Sequence, residues 1–266
     1  HDRRLVPDKA VQFNFRRTSS TWGEPLISAL NVGHGFHTTD NNSSPPPLTR
    51  NAATFGVKKD GILFDSVDLC IEEGSTVCIL GENSCGKTTL LKILTKEIQQ
   101  PIEGEVHHAH NVNVCYLDQH KVDDLLAEAS TSSNKMNSLS LLMEIYPKKT
   151  QEEIRKELIN FGINHQQSLT NIQFLSGGER CRLCLAMMML QDVHVLVLDE
   201  PSNHLDPESV EALAYGLKAW NGTVVLVSHD VHLIRLLEGT CYVLMEQMGK
   251  LRRLEGGIDS YLQILG

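Results

Sequence analysis

The stretch GENSCGKTT, from Gly81 to Thr89, fits the pattern G-x-x-x-x-G-K-[ST] of a phosphate-binding loop. An apolar strand, TVCIL, comes directly before it, and a helical pattern follows over residues 87–97. In that setting, backbone N–H groups of the loop and of the helix N-terminus point toward the β- and γ-phosphates of a nucleotide. Lys87 adds a positive charge, and the hydroxyl of Thr88 can bind Mg²⁺. The sequence therefore predicts a site for ATP and Mg²⁺, the alternative being a strand–turn–helix corner that happens to contain glycine and lysine.

Two positions of this phosphate loop hold side chains where a glycine would fold more easily. Ser84 can adopt a left-handed or bridge conformation only at a cost of about 1 kcal/mol or more. We therefore expect a competent loop whose affinity for ATP is lower than that of a version with glycine. Cys85 lies beside Lys87 at the start of the helix, and such a position predicts a reactive thiol that bound ATP would shield.

A pair of acids follows a second apolar strand much later in the chain. VHVLVLDEP places Asp199 and Glu200 directly after four apolar residues, which is a Walker B arrangement. Asp199 would hold Mg²⁺, directly or through water, and Glu200 would polarise the attacking water as general base. The alternative is an acid pair that caps a helix, and the phosphate loop makes that alternative the lesser one.

Length and composition limit the class of protein. The 266 residues suffice for one large α/β domain or two small ones. The longest apolar runs fall far short of the roughly 20 residues that cross a bilayer, so no membrane insertion is expected. A net charge of −9 argues against a broad nucleic-acid-binding face. The 7 cysteines, scattered mostly in apolar segments, indicate a reducing compartment, which makes a cytoplasmic location the expectation.

Strand and helix patterns alternate along most of the chain. Such an order predicts an α/β fold with a mainly parallel sheet and helices on both faces. Residues 1–24 are predicted to be a lead-in with a strand at VQFNF, 37–50 a mobile insertion, and about 120–174 a helical subdomain. The predicted strands are 26–32, 67–71, 76–80, 112–117, 193–198, 223–227 and 241–245, and the predicted helices are 87–97, 207–220 and one that follows position 230.

Further motifs carry a resemblance to a known family. FLSGGERCRL is similar to the signature motif of ATP-binding cassette (ABC) ATPases, and it lies between the phosphate loop and the acid pair, as in that family. YLDQH offers Gln119 for the family's Q-loop, PSNHLD offers Asp206 for its D-loop, and VSHD offers His229 as its switch histidine. The motifs follow the family's order over residues 25–266, which we take as one ABC ATPase domain. The resemblance implies a P-loop fold with a mainly parallel core sheet, an antiparallel β subdomain near the N-terminus and an inserted helical subdomain.

The resemblance also implies roles for residues. Glu200, His229, Gln119 and Lys87 would be catalytic. Phe36 would stack on adenine, where the family often has tyrosine, although Phe36 could equally just end a core strand. The implied metal ligands are Thr88, Gln119 and Asp199, and the implied nucleotide contacts are Phe36, Gly81, Glu82, Asn83, Ser84, Cys85, Gly86, Lys87, Thr88, Thr89, Ser176, Gly177, Gly178, Glu179 and Asp206.

The signature motif has a partner-dependent role in the family. The SGG turn opens a helix and offers backbone N–H groups to an anion. In the family's architecture it reaches the γ-phosphate bound to a second cassette, so two cassettes enclose two ATP molecules head to tail. The resemblance therefore implies that this chain needs a second cassette, in the same full-length chain or in a homodimer, to complete either ATPase site.

The NHLD and YxxQH forms of two motifs resemble the ABC-F branch. Its members are soluble proteins with two cassettes, and many act on ribosomes during translation. The VQFNF lead-in is similar to the start of the second cassette in eukaryotic members, which implies a C-terminal cassette with the ribosome as a candidate partner. Two alternatives remain: a nucleotide-binding subunit of a membrane ABC transporter, and a regulatory module that binds ATP without turnover. The intact Glu200 and His229 argue against the second.

Overall fold

The computed structural model describes residues 12–15, 23–35, 62–98, 100–118, 136–245 and 249–265. The predicted insertion at 37–50 and the first part of the predicted helical subdomain, 120–135, lie outside the described residues, as do Phe36 and Gln119. The domain boundaries given above therefore stay predictions.

The larger sheet confirms the mainly parallel α/β core. Its strand order is β5-β6-β7-β3-β8-β9, with β5 to β8 parallel and β9 antiparallel. Every residue of β6 and β7 is buried, as expected for strands covered on both faces. The strands are β3 (Thr76–Leu80), β5 (Val114–Leu117), β6 (Val195–Asp199), β7 (Thr223–Val227), β8 (Thr240–Met245) and β9 (Lys250–Arg253). Because β3, β6 and β7 run in the same direction, the residues that follow them meet at one edge of the sheet.

A second, antiparallel sheet confirms the β subdomain near the N-terminus. Its order is β2-β1-β4, with β1 at Ile27–Gly35, β2 at Ile62–Ile71 and β4 at Glu103–His108. Its buried face packs with α1 (Lys87–Leu94) against one side of the larger sheet, around residues such as Phe64. This packing fixes the helix that follows the phosphate loop.

Helices cover the other face of the larger sheet and share a second apolar core. Short helices between 138 and 169 begin with capping side chains, since Asn137 and Thr150 each accept a hydrogen bond from the backbone three residues on. The helices are α2 (Ser138–Ile145), α3 (Gln151–Asn160), α4 (His165–Leu169), α5 (Gly177–Met189), α6 (Pro207–Ala219), α7 (Val231–Leu237) and α8 (Gly257–Leu265), with short 3₁₀ turns at Ile172–Phe174 and Pro201–His204.

The strand predicted at VQFNF is wrong for its described part, because residues 12–15 belong to no strand. The backbone instead bonds to the end of a helix, with the Asn14 N–H donating to the Asn160 carbonyl at 3.1 Å. The alternation of phenylalanines serves packing. The rings of Phe13 and Phe15 both meet Phe161 edge-on, with centroids 5.8 and 5.2 Å away.

Other elements differ from the prediction in their limits. The helix after the phosphate loop ends at Leu94, and the strand predicted from position 112 begins at Val114. Strands β4 and β9 and helix α8 were not predicted. The sequence of β4 is polar, and β9 is an edge strand of the larger sheet. Within the ranges that the structure describes, no helix is both long and apolar enough to cross a bilayer.

Candidate functional site

The phosphate loop is a tight turn between β3 and α1. Its backbone has positive φ at Gly81 (153°), Ser84 (64°) and Gly86 (106°). Gly81 cannot carry a side chain there, since a Cβ would lie 2.7 Å from the Leu244 carbonyl oxygen. Lys87 is buried, and its Nζ donates to the carbonyls of Gly81 at 2.9 Å and Glu82 at 2.7 Å. The lysine charge is therefore held within the loop.

Ser84 and Cys85 differ in their exposure to solvent in this turn. The left-handed conformation expected for Ser84 is confirmed by its φ of 64°, and its side chain is exposed. Cys85 is fully buried, so the prediction of an accessible, reactive thiol is wrong. Its sulfur lies beneath the loop, only 2.8 Å from where a Cβ on Gly81 would stand. The thiol therefore packs against Gly81 within the turn.

Asp199 is the last residue of β6 and is buried. Its Oδ2 accepts a hydrogen bond from the hydroxyl of Tyr116 at 3.3 Å. Burial raises the pKa of Asp199 above its ordinary value, while hydrogen bonds from Thr88 and Tyr116 oppose that rise. Asp199 and Thr88 thus present a carboxylate and a hydroxyl to the same point, a pair of hard oxygen donors of the kind that Mg²⁺ prefers.

Glu200 follows Asp199 with a left-handed backbone, at φ 52°. Its N–H donates to the Val227 carbonyl at 2.8 Å, and its Oε2 accepts from the backbone N–H of His229 at 3.2 Å. Its Oε1 is buried 3.4 Å from the His229 Nε2, close enough for an ion pair but without a hydrogen bond. Burial raises the pKa of Glu200, and the contact with His229 opposes that rise. The carboxylate is held by one oxygen and can take a proton on the other.

These groups line one open cleft of about 720 Å³. Of the residues predicted from sequence, the cleft brings together the loop, both acids and the histidine. Three predicted residues of the loop, Gly81, Glu82 and Cys85, do not line it. The predicted residues that do are Asn83, Ser84, Gly86, Lys87, Thr88, Thr89, Asp199, Glu200 and His229.

The signature motif does not line this cleft. Ser176 is the N-cap of α5: its hydroxyl accepts from the Glu179 N–H at 3.2 Å, and Glu179 accepts from the Ser176 N–H at 2.7 Å. Gln167 donates to the second oxygen of Glu179 at 2.5 Å. Although burial acts to raise it, these hydrogen bonds hold the pKa of Glu179 below its ordinary value. Just before this helix, Phe174 leaves 77% of its surface exposed.

Asp206 is also outside the cleft, as the N-cap of α6. Its Oδ1 accepts from the Ser209 N–H at 2.9 Å and its Oδ2 from the Ser209 hydroxyl at 3.1 Å. The backbone hydrogen bond from Ser209 is the main reason that the pKa of Asp206 is lowered. Within this chain Asp206 therefore serves the helix start.

Sequence reasoning missed four residues at or behind the cleft. Leu63 of β2, Asn203 of the 3₁₀ turn and Val227 of β7 line it, and Tyr116 lies behind Asp199. Tyr116 was within the YLDQH motif, and period-2 alternation puts it on one face of β5. Only the pairing of β5 with β6, which places Tyr116 opposite Val197, brings it to Asp199.

Comparison with known proteins gives consistent matches. Residues 64–203 match the family model described as ABC transporter. Protein GCN20 of Saccharomyces cerevisiae is 37% identical over 219 residues, which is 82% of this chain and 28% of that protein. ATP-binding cassette sub-family F member 3 of Rattus norvegicus is 35% identical over 223 residues, 84% of this chain and 30% of that protein. The probable ATP-binding protein YheS of Escherichia coli is 33% identical over 242 residues, 90% of this chain and 36% of that protein.

Solved structures are similar in fold. The dimeric structure of a bacterial ABC transporter cassette has a TM-score of 0.59 at 19% identity, covering 86% of this chain and 99% of that one. A bacterial Atm1-family ABC exporter with ATP bound has a TM-score of 0.64 at 16% identity, covering 97% of this chain and 43% of that one. The chain itself spans only 28 to 36% of the length of the three curated relatives named above.

Proposed function

Because the chain belongs to the ATP-binding cassette family, in its ABC-F branch, we propose that it binds MgATP in the cleft and hydrolyses it to ADP and phosphate. One observation carries the proposal. The phosphate loop, the Asp199–Thr88 oxygen pair and the Glu200–His229 pair line a single cleft at the same edge of the sheet. The cleft thus holds a phosphate-binding loop, a metal-binding pair and a candidate base together.

ATP binding rests on the phosphate loop. The start of α1 directs backbone N–H groups into the cleft, where they favour an anion. Lys87 is held at the loop by two carbonyl oxygens, so its charge is already in place for the phosphate oxygens. Phe36 remains the proposed adenine contact.

The metal would be held by Thr88 and Asp199, with Gln119 as the third proposed ligand. When bound, Mg²⁺ would neutralise negative charge on the phosphate groups while the γ-phosphoryl group is transferred to water. The chain contributes the oxygen donors and their orientation, since Asp199 is fixed at the end of a fully buried strand.

Glu200 is the proposed general base and His229 its orienting partner. Burial and the left-handed turn hold the carboxylate at the edge of the cleft, with one oxygen occupied by the His229 N–H. A raised pKa makes the ionised carboxylate a stronger proton acceptor. His229 is half exposed, so its ring can contact a bound phosphate without the chain opening.

Completion of the site by a second cassette is part of the proposal. Ser176, Gly177 and Gly178 do not line the cleft of their own chain, so they are available to the nucleotide of a partner. Phe174 supports this, because a phenylalanine with 77% of its surface exposed next to the signature is what a surface that becomes covered would present. The partner would be a second cassette in the same full-length chain or in a homodimer.

We further propose that the chain is the C-terminal cassette of a cytoplasmic ABC-F protein with a role in translation and the ribosome as partner. Its support is the ABC-F branch and the YLDQH and NHLD motifs. The alternative, a nucleotide-binding subunit of a membrane ABC transporter, has less support, because the transporter cassettes resemble the chain in fold alone.

The proposal is tested by nucleotide binding to two lysine variants. Lys87→Ala is expected to weaken ATP binding at least tenfold and to abolish phosphate release, because the buried charge at the loop is lost. Lys92→Ala, in the last turn of the same helix, is the matched control and should bind like the parent. Equal affinity of the parent and Lys87→Ala would refute the site.

A further inference from the structure

We propose that Tyr116 is a positioning residue for the metal site, whose hydroxyl fixes the Asp199 carboxylate in the orientation that receives Mg²⁺. This inference rests on the proposed function and names a residue that the motifs leave without a role. The hydroxyl lies 3.3 Å from Asp199 Oδ2 and both side chains are buried, so the contact is shielded from water. Shielding makes a hydrogen bond to a carboxylate stronger than it is at a surface.

The strand pairing explains why Tyr116 can do this. Tyr116 of β5 is directly opposite Val197 of β6. Side chains two residues apart along a strand share a face, so Asp199 lies on the same side as Val197 and Tyr116. The ring packs in the core between the two sheets, which restricts its rotation. A rigid aromatic ring therefore carries the hydroxyl to a set position.

A second buried carboxylate acts on the hydroxyl. Asp118, one residue past the end of β5, is buried, and its charge acts on the phenol. The ordinary pKa of a tyrosine is about 10, so at neutral pH the phenol carries its proton and can donate a hydrogen bond to Asp199 Oδ2.

The hydrogen bond from Tyr116 therefore orients the Asp199 carboxylate before a cation binds. An oxygen that accepts from Tyr116 holds the plane of the carboxylate, and the carboxylate can then meet a cation without first being reoriented. Groups that hold a metal ligand in this way typically contribute about 10- to 100-fold to metal affinity. A tyrosine that only filled the core would contribute nothing to that affinity.

The test compares Tyr116→Phe with the parent in a binding assay. A fluorescent ADP analogue is titrated in EDTA, and then at graded Mg²⁺, and the Mg²⁺ concentration at half-maximal enhancement is recorded. Phenylalanine keeps the ring and removes the hydroxyl. We expect nucleotide affinity in EDTA to stay within twofold, and the Mg²⁺ midpoint to rise about tenfold or more.

Tyr146→Phe is the matched control. Its hydroxyl donates to the Met187 carbonyl at 2.8 Å and lies in the helical layer, away from the cleft. It should cost stability as Tyr116→Phe does and leave the Mg²⁺ midpoint unchanged. A second pair of variants guards against a general loss of structure. In an Asp199→Asn background, Tyr116→Phe should cause no further change in the midpoint, because the carboxylate it orients is gone.

The outcomes distinguish a failure of the proposed nucleotide site from a failure of the role of Tyr116. If the parent binds no nucleotide, the proposed function fails. If the parent shows Mg²⁺-dependent binding and Tyr116→Phe has the same midpoint, the inference about Tyr116 is overturned while the site stands. Equal effects of Tyr116→Phe with and without the Asp199→Asn change would overturn it as well.

Discussion

Replacing Ser84 with glycine tests how the phosphate loop is built. Ser84 has a φ of 64°, and that region costs an L-residue about 1–2 kcal/mol compared with a right-handed conformation. Glycine avoids that cost, but its freer unfolded chain gives back about 0.4–1 kcal/mol. The balance is a gain of about 0.5–1 kcal/mol in the free energy of unfolding, which raises Tm by about 1–4 °C for a chain of this size.

The same substitution should not harm nucleotide binding. Strain relief affects ATP binding only for the part of the cost that arises when phosphate orders the turn, so glycine tightens ATP binding by at most about fivefold, the equivalent of about 1 kcal/mol. Thermal unfolding followed by circular dichroism gives the stability, and isothermal titration with ATP gives the affinity. Ser84→Ala, which keeps Cβ and loses the hydroxyl, is expected to show neither gain.

Glu238→Gly is a control for strain at a distance from the cleft. Glu238 also has a left-handed φ, 53°, at the end of α7, and its ion pair with Lys218 is exposed and contributes little. It should raise Tm without changing ATP affinity. If Ser84→Gly instead lowers Tm, or weakens ATP binding tenfold, the serine hydroxyl is a required contact and the argument from backbone strain is refuted.

Three further predictions concern the buried thiol, the exposed ring and the metal ligand. Cys85 should react slowly with iodoacetamide whether or not MgATP is present, while exposed Cys70 reacts quickly, as peptide mass spectrometry would show; rapid labelling of Cys85 in the folded chain would contradict its burial. Phe174→Ala should weaken ATP-dependent pairing in sedimentation velocity and leave the ATP affinity of the single chain unchanged. Tyr215 is an exposed ring on α6, and Tyr215→Ala should change neither the pairing nor the affinity. Burial raises the pKa of Asp199 in the folded chain, so stability falls as pH rises from about 4 through that raised value. Asp199→Asn should therefore raise Tm of the nucleotide-free chain at pH 7 but not at pH 3, and an equal gain at both would exclude the carboxylate charge as the cause.

The parts of the fold that could be predicted are those written in contiguous residues. TVCIL and the strand before Asp199 are buried on both faces, so an unbroken apolar run was sufficient to find them. The phosphate loop and the acid pair follow directly from those strands. Strand β4 could not be found, because its exposed and half-buried residues, such as Glu105 and His107, show no apolar pattern.

The direction of loop side chains and the pairing of strands could not be predicted from the sequence. The burial of Cys85 depends on which way a loop side chain turns, and only the packing against Gly81 decides that. The contact between Tyr116 and Asp199 depends on the register of β5 with β6. The lead-in was expected to be a strand, but Phe13 and Phe15 find a helix end and not a strand edge.

The central claim is that Glu200 activates water in this cleft, and a single-turnover experiment tests it most directly. Excess protein is mixed with Mg²⁺ and γ-labelled ATP, and phosphate release is followed for the parent, Glu200→Gln and Glu211→Gln. Glu211 forms an exposed pair with His232 at 3.1 Å, outside the cleft. Glu211→Gln therefore makes the same chemical change at a site away from the nucleotide. We expect Glu200→Gln to bind ATP like the parent and release phosphate at least 100-fold more slowly, while Glu211→Gln matches the parent. Phosphate release by Glu200→Gln at the parental rate would contradict the account.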